Sequence, residues 1–254
     1  MKIQLIKLFL LGGIVLLFVG CAKEKKKEEM SFDELKKRSI VLLQEKKYED
    51  ASEYLEQIIG QFQDRADISK YKLSLAELYF KTGKYESAGE LYENFAQFYP
   101  SDQYVEYAKY RSILSKFYQT LRTDCDQTPT QETIKLCEDY LSVPQFAKYH
   151  ADVSDIKNTC EYKLIDKEVY VYDFYVNQGE YTAAKGRLDF LKKNYLAKQQ
   201  SLEPRLLYLE SKLAQKEKNI SKVKENLQKL MEKYPESHFT QMTHALLNKP
   251  NLFF

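Results

Sequence analysis

The chain has 254 residues, with 39 basic and 37 acidic side chains, so its formal net charge is only +2. This near balance argues against a nucleic-acid partner, whose binding depends on the neutralisation of many phosphates. Glycine (8) and proline (6) are scarce, tryptophan is absent and tyrosine is abundant (21). So few helix-breaking residues in so long a chain predict long helices.

Residues 1–20 have the layout of a bacterial signal peptide. Lys2 and Lys7 flank the start, an uninterrupted apolar run extends from Leu8 to Val19, and no acidic residue is present. The run is shorter than the roughly 20 residues that a membrane-spanning helix needs. We therefore expect the segment to be removed after export.

The apolar run ends in Gly20-Cys21, which resembles the lipobox of bacterial lipoproteins. There a small residue precedes the cysteine that accepts a diacylglyceryl group, and Ala22 stands where aspartate usually retains Gram-negative lipoproteins in the inner membrane. We expect cleavage before Cys21, lipidation of Cys21 and anchoring in the outer membrane. The alternative is an ordinary secretory signal that is cut elsewhere. With cleavage before Cys21, residues 21–30 are the lipidated cysteine and a charged tether with little to bury.

Three segments share one local pattern, in which tyrosine is followed three residues later by alanine: residues 46–51, 83–88 and 179–184. Apolar residues return at helical spacing after each alanine, so each segment begins a helix. Another amphipathic stretch precedes each segment, and glycine at positions 83 and 179 favours the left-handed conformation that ends a helix. The repeated unit is therefore predicted to be a helix hairpin.

The second of these hairpins resembles the tetratricopeptide repeat over its whole length. The residues at that family's spacing are Leu75, Ala76, Tyr79, Gly83, Ala88, Tyr92, Phe95 and Pro100. The gap between Ala88 and Ala184 leaves room for an irregular third hairpin with a long loop around Asp124 to Pro129. We predict an all-α fold, a right-handed superhelix of about five tetratricopeptide-like hairpins, because no single hairpin can bury its apolar face alone.

The residue patterns of common active sites are missing from the sequence. No glycine-rich phosphate loop occurs, and His150, His238 and His244 lack carboxylate or cysteine neighbours at metal-ligand spacing. The sequence therefore predicts no catalytic residues, no metal and no cofactor. We expect a binding protein rather than an enzyme.

Two cysteines fall on successive predicted helices. Cys137 and Cys160 lie at similar distances from the turn near residues 144–150, so they could face each other across a hairpin. They would then either form a disulfide or stay as buried thiols, since cysteine packs readily as a small apolar residue.

The layout of signal, lipobox, short tether and five hairpins resembles the BamD lipoprotein family of the outer-membrane β-barrel assembly (BAM) complex. The resemblance covers residues 31 to about 245. The segments that carry it are Asp166 to Tyr175 leading into Gly179 to Leu191, the pair Tyr107 and Tyr110, and Ala96 to Pro100.

The resemblance implies a non-enzymatic scaffold that is anchored at the periplasmic face of the outer membrane. Its implied partners are the periplasmic domains of BamA, other BAM lipoproteins and unfolded outer-membrane β-barrel proteins. Residues 31–145, with repeats 1–3, would receive the unfolded proteins. Residues 146–245, with repeats 4 and 5, would dock BamA, and residues 246–254 would be a tail. Arg187 falls where the family has an arginine that contacts BamA. Its alternative role is that of a solvated charge beside Asp189.

We expect the first helices of the second and third hairpins to line a concave surface that suits an extended, aromatic-rich peptide. The predicted groove residues are Leu73, Glu77, Phe80, Tyr107 and Tyr110. The alternative for each of them is packing between hairpins. For the whole chain, the alternatives are another lipid-anchored tetratricopeptide protein, such as a secretin pilot or cell-division coordinator, and a peptidoglycan-associated structural protein.

Overall fold

The computed structural model describes residues 29–247, and all regular secondary structure within them is helical. The chain divides between Thr82 and Gly83 into two compact units, which we call unit I and unit II. The predicted signal peptide, Cys21 and residues 248–254 of the predicted tail (246–254) lie outside the described residues. Within residues 29–247, every helix falls short of the length or the hydropathy that a bilayer-spanning segment requires.

The helices are divided between the two units in chain order. Unit I contains α1 (Phe32–Gln44), α2 (Tyr48–Gln61) and α3 (Ile68–Lys81). Unit II contains α4 (Tyr85–Phe98), α5 (Val105–Tyr118), α6 (Thr128–Leu141), α7 (His150–Gln178), α8 (Tyr181–Leu191), a π-helical turn (Lys192–Leu196), a 3₁₀ turn (Gln200–Leu202), α9 (Glu203–Lys216), α10 (Ile220–Lys233) and α11 (His238–Leu247).

Unit I begins with a reciprocal cap on α1. The Glu34 amide donates to Ser31 Oγ at 3.4 Å and the Ser31 amide donates to Glu34 Oε2 at 2.8 Å, which satisfies two amides that the first turn would leave without acceptors. Helix α1 packs on α2, and α2 packs on α3. Leu35 and Ile58 are fully buried in this packing.

In unit II, each helix from α4 to α10 packs against the next, and α11 returns to contact α9 and α10. The largest described cluster joins α7, α8 and α9 around Ile165, Tyr172, Leu188 and Leu191. All four side chains are at most 2% exposed. This cluster fixes α8 on α7 and so positions the candidate site on α8.

The predicted start of each second helix is confirmed. Helices α2, α4 and α8 begin at Tyr48, Tyr85 and Tyr181, and the alanine three residues into each helix is 0% exposed. A side chain as small as alanine lets another helix approach closely at that point. The prediction of an all-α fold built from repeated helix hairpins is confirmed for the described residues, whereas the hand of the superhelix stays a prediction.

Left-handed residues end the first helices of four hairpins. Gly83 and Gly179 both have φ of 80°, as predicted, but the equivalent residues Lys46 and Lys218 have φ of 60°. Beyond Lys46 and Gly179, the next amide donates back to a carbonyl five residues earlier, at 2.9 Å in each case. The turn geometry is thus kept where the sequence offers lysine instead of glycine.

The third hairpin, α5 and α6, forms as predicted, with one correction to its loop. The loop ends at Gln127, because Pro129 belongs to the first turn of α6, where its missing amide leaves no hydrogen bond unmade. Two helical features were not predicted: α7 runs for 29 residues, and α11 follows the fifth hairpin.

Candidate partner-binding site on helix α8

Arg187 lies in the middle of α8 and forms an ion pair with α7. Its Nη1 donates to Glu168 Oε2 at 3.3 Å, and the two side chains are 40% and 19% exposed. The sequence left open whether Arg187 was an isolated charge beside Asp189 or part of an interface. In the structure, its carboxylate partner is Glu168, which comes from the facing helix of the same hairpin.

Two further ion pairs hold the long helix α7 against α9. Arg205 Nη1 lies 2.6 Å from Asp166 Oδ1, and Lys212 Nζ lies 2.7 Å from Asp173 Oδ1. These pairs are partly exposed, so each contributes little to the free energy of unfolding, about 0–1 kcal/mol. The position of α7, which carries the partner of Arg187, is set mainly by the buried cluster that joins α7, α8 and α9.

The outward side of α8 is open. A Cβ atom added at Gly186 would meet nothing within 4 Å, and the neighbouring Phe190 ring is 41% exposed. A glycine inside an exposed helix costs about 0.5–1 kcal/mol relative to alanine, and no contact among the described residues requires it at this position. We define the α8 surface as Lys185, Gly186, Arg187, Asp189 and Phe190.

A cavity of about 560 Å³ borders this surface. We call it the α8 cavity; the α5–α6 loop, α7, α8 and the π-helical turn line it, and its lining includes Asp124, Asp126, Glu168, Phe190 and Tyr195. Sequence reasoning missed it because its walls come from three distant segments.

The α5–α6 loop keeps its shape through Gln127, which is 8% exposed. Gln127 Nε2 donates to the carbonyls of Arg122 and Cys125 at 2.8 and 3.2 Å, and its Oε1 accepts from Thr130 Oγ1 at 2.9 Å. A buried amide with all these partners holds the loop wall of the cavity in place.

The predicted groove residues fall in both units. Leu73, Glu77 and Phe80 are half-buried on α3 of unit I. Tyr107 and Tyr110 lie on α5 of unit II, where the two rings have centroids 6.1 and 4.3 Å from that of Tyr149. Burial raises the pKa of Tyr110. The two tyrosines thus take part in packing between α5 and the start of α7, and the substrate groove stays a prediction.

A hydrogen-bond network that the sequence did not predict centres on Glu106 of α5. Its Oε1 accepts from Tyr140 Oη at 2.8 Å and from the Lys148 amide at 2.7 Å, and Tyr140 Oη accepts from the Tyr149 amide at 3.3 Å. Burial and the hydrogen bond to Glu106 raise the pKa of Tyr140. This network joins α5, α6 and the α6–α7 turn.

The three described cysteines are free thiols in the structure. Cys137 and Cys160 are fully buried, as the thiol alternative expects, and their pairing in the exported protein stays a prediction. Burial raises the pKa of Cys137 to about 12 and that of Cys160 to about 11. Cys125 is exposed on the α5–α6 loop and lines the α8 cavity.

Among residues 29–247, no group of three or more histidine, cysteine, aspartate or glutamate side chains is arranged to hold a metal ion. His150 begins α7, and His238 and His244 lie on α11.

The stacked hairpins define the chain as a tetratricopeptide-like helical repeat protein, a class that commonly presents helix surfaces to other proteins. Residues 28–216 match the family model for YfiO, an outer membrane lipoprotein. The chain therefore belongs to the YfiO family of outer membrane lipoproteins.

The chain is also similar to the outer membrane protein assembly factor BamD of Rickettsia prowazekii (strain Madrid E). The two are 26% identical over 210 residues, which cover 82% of this chain and 83% of the relative. The predicted membership of a BamD-type family is confirmed.

Proposed function

We propose that this protein is a non-enzymatic scaffold of outer-membrane β-barrel assembly, held at the periplasmic face by lipid on Cys21. It binds the periplasmic domains of BamA, other lipoproteins of the complex and unfolded barrel proteins, and so promotes their folding and insertion. Family membership and the name of the Rickettsia relative support the assembly role. The α8 surface is the observation that supports BamA as a partner.

Three properties of the α8 surface suit the docking of BamA. Arginine is enriched among the residues that dominate protein interfaces, and Arg187 is partly exposed above a rigid hairpin. Gly186 lets a partner's backbone approach the helix closely, since no side chain stands in the way. Phe190 offers an exposed aromatic ring beside it. Charge, access and apolar area therefore coincide on one helix.

Affinity purification of the full-length protein from detergent-solubilised membranes tests the function. We expect BamA to be recovered with the wild-type protein and to be strongly depleted with Arg187→Ala. The matched control is Arg205→Ala, which also breaks an ion pair to α7, at a site away from the α8 surface. Recovery of a secretin without BamA would contradict the proposal and favour a secretin pilot.

The substrate role is tested at the predicted groove. A photo-crosslinking residue at Phe80 should label a peptide that carries the carboxy-terminal segment of a barrel protein. The control position is Phe98, which is 67% exposed and lies outside the predicted groove. Equal labelling at both positions, or none at Phe80, would count against the groove.

The anchor is tested by Cys21→Ser. We expect the variant to fold and to bind BamA with unchanged affinity, while barrel assembly in the cell falls, because the protein is no longer concentrated at the membrane. Normal assembly by this variant would show that lipid on Cys21 is dispensable.

A further inference from the structure

A groove lies between α10 and α11 of unit II, and we call it the α10–α11 groove. Its lining residues are Leu227, Met231, Pro235, Thr240, Gln241 and His244. None of these is an aspartate, glutamate, lysine or arginine, and the volume of the groove is about 370 Å³. Pockets that hold a ligand usually have volumes of about 300–1,000 Å³. The groove therefore has the size and the chemistry to receive apolar side chains.

The walls of the groove are held in place by hydrogen bonds. Gln215 Nε2 of α9 donates to the Leu246 carbonyl of α11 at 2.7 Å, and Thr240 Oγ1 donates to the Tyr234 carbonyl at 2.6 Å. Helix α11 packs against both α9 and α10. These contacts fix α11, so the groove is a permanent feature of the fold.

One side chain of the groove is exposed more than a packed apolar residue should be. Helical-repeat proteins need a capping segment over the apolar face of a terminal hairpin. Helix α11 supplies part of this cover for the fifth hairpin (α9 and α10), and Leu227 is 7% exposed, yet Met231 is 57% exposed. The cover that α11 provides is thus incomplete at Met231.

The segment that follows α11 has the composition to complete this cover. Residues 248–254, which lie outside the described residues, read Asn-Lys-Pro-Asn-Leu-Phe-Phe. Proline disfavours helical backbone at the residue before it, so the sequence favours a change of direction ahead of Leu252. Three consecutive apolar residues then follow the proline, and they match the uncharged lining of the groove.

The segment also has the reach. Helical spacing from Gln241 and His244 comes round to residues 247 and 248, so the chain leaves α11 on the side of the groove. The way back along α11 from Leu247 to Thr240 is about 10 Å, whereas the five residues to Leu252 span up to about 17 Å when extended. A short tether of this kind gives an effective concentration in the millimolar range.

We propose that Leu252 and Phe253 fold back into the α10–α11 groove, where they cover Met231 and cap the fifth hairpin. The occupant of the groove is therefore a segment of this chain. The inference goes beyond the proposed function and is independent of it, because it requires neither BamA nor a substrate. Any partner that docks on this groove first has to displace the segment.

A fluorescent reporter tests the position of the segment. The chain lacks tryptophan, so Phe253→Trp places a single indole in the full-length protein. We expect acrylamide to quench it at least threefold less than it quenches a free peptide of residues 248–254 with the same substitution. Adding Met231→Lys should remove this protection, because it brings a charge into the groove. The matched control is Phe98→Lys, which changes an apolar residue of α4 that is 67% exposed and should leave the protection intact.

Three results would overturn the proposal. The first is quenching of the full-length protein equal to that of the peptide, and the second is protection that survives Met231→Lys. The third is protection that disappears on dilution, which would show that a second copy of the chain supplies the occupant.

Methionine oxidation provides a measurement without the indole. Hydrogen peroxide converts accessible methionine to the sulfoxide. We expect Met231 of the wild type to be oxidised at least fivefold more slowly than Met231 of the double variant Leu252→Ser with Phe253→Ser. Met30, which precedes α1 in unit I, is the internal control and should be oxidised at the same rate in both proteins. Equal rates at Met231 would contradict the fold-back of the segment.

Discussion

The third and fourth hairpins use carboxylates in opposite ways. In the third, Glu106 accepts hydrogen bonds from Tyr140 and from a backbone amide, which joins the hairpin to the following turn. In the fourth, Glu168 accepts a hydrogen bond from the partly exposed Arg187 and lines a cavity. A carboxylate inside a hydrogen-bond network fixes packing, whereas an ion pair of partly exposed groups adds only about 0–1 kcal/mol to stability.

The same contrast separates the aromatic residues. The rings of Tyr110 and Tyr149 stack with centroids 4.3 Å apart, and Tyr140 is 2% exposed. Phe190 of the fourth hairpin is 41% exposed beside Gly186. We therefore assign packing to Tyr140 and recognition to Phe190. Substitutions in both hairpins test that division.

The largest effect is expected from Tyr140→Ala. The change removes a buried ring that packs on Phe146, with centroids 5.2 Å apart, and leaves Glu106 without its phenolic donor. Truncation of a large buried aromatic residue typically costs about 3–5 kcal/mol. Urea unfolding of the full-length protein should show that loss. Phe190→Ala is the matched control, and it should cost less than about 1 kcal/mol; equal losses would erase the distinction between the hairpins.

Alkaline pH should destabilise the packing between α6 and α7. The pKa values of Cys137 and Cys160 are raised by burial from 9.0 to about 12 and about 11, so the folded state favours neutral thiols. The stabilisation from each thiol is complete below pH 9 and is lost as the pH rises towards the folded value. The thermal midpoint of the wild type should fall more between pH 8.5 and 10.5 than that of Cys137→Ala. The control is Cys125→Ser, which changes an exposed cysteine and should show the same fall as the wild type.

Thiol counting sharpens the same test. In denaturant without reductant, the lipidated protein should show three free thiols if Cys137 and Cys160 are unpaired. A count of one would show the disulfide, and the alkaline effect on these two residues should then be absent because neither sulfur could titrate.

Gly186→Ala should separate stability from binding. Alanine in an exposed helix is favoured over glycine by about 0.5–1 kcal/mol, and the new Cβ meets nothing within the protein. Stability should rise while affinity for BamA falls about tenfold, because the methyl group occupies the partner's approach. Gly60→Ala in α2 is the control, since it also lies in open space; it should stabilise without changing affinity. If Gly186→Ala and Gly60→Ala bind BamA with equal affinity, Gly186 is not part of the interface.

The smallest effects are expected at the hairpin turns. Lys218→Gly should stabilise by about 0.5–1 kcal/mol, because lysine holds φ of 60° against the steric cost of its Cβ. Gly179→Ala should destabilise by about 1 kcal/mol for the same reason, since Gly179 has φ of 80°. Chemical denaturation measures both, and changes of the opposite sign would contradict the steric argument.

Much of the fold follows from local sequence rules, because helix starts and stops depend on neighbouring residues. The repeated pattern predicted that helices begin within residues 46–51, 83–88 and 179–184, where α2, α4 and α8 start. The left-handed Lys46 and Lys218 carry no such signal, since lysine is ordinary inside a helix. The length of α7 was not predicted, although the scarcity of helix-breaking residues agrees with it.

The site was less predictable than the fold. Family resemblance pointed to Arg187, but its pair with Glu168 depends on how α7 and α8 pack. The α8 cavity draws its walls from the α5–α6 loop and two helices, a juxtaposition that no local motif encodes. Tyr107 and Tyr110 contact the ring of Tyr149, a contact that their spacing did not reveal, and the substrate groove stays a prediction.

The most direct test of BamA docking is a titration of the BamA periplasmic domains onto the full-length protein, comparing wild type, Arg187→Ala and Arg205→Ala. Loss of a central interface arginine commonly costs about 2 kcal/mol or more, and each tenfold in affinity is about 1.4 kcal/mol. We predict that Arg187→Ala weakens binding at least 30-fold while Arg205→Ala stays within twofold. Equal affinities for all three proteins would contradict the assignment of the α8 surface as the BamA-binding site.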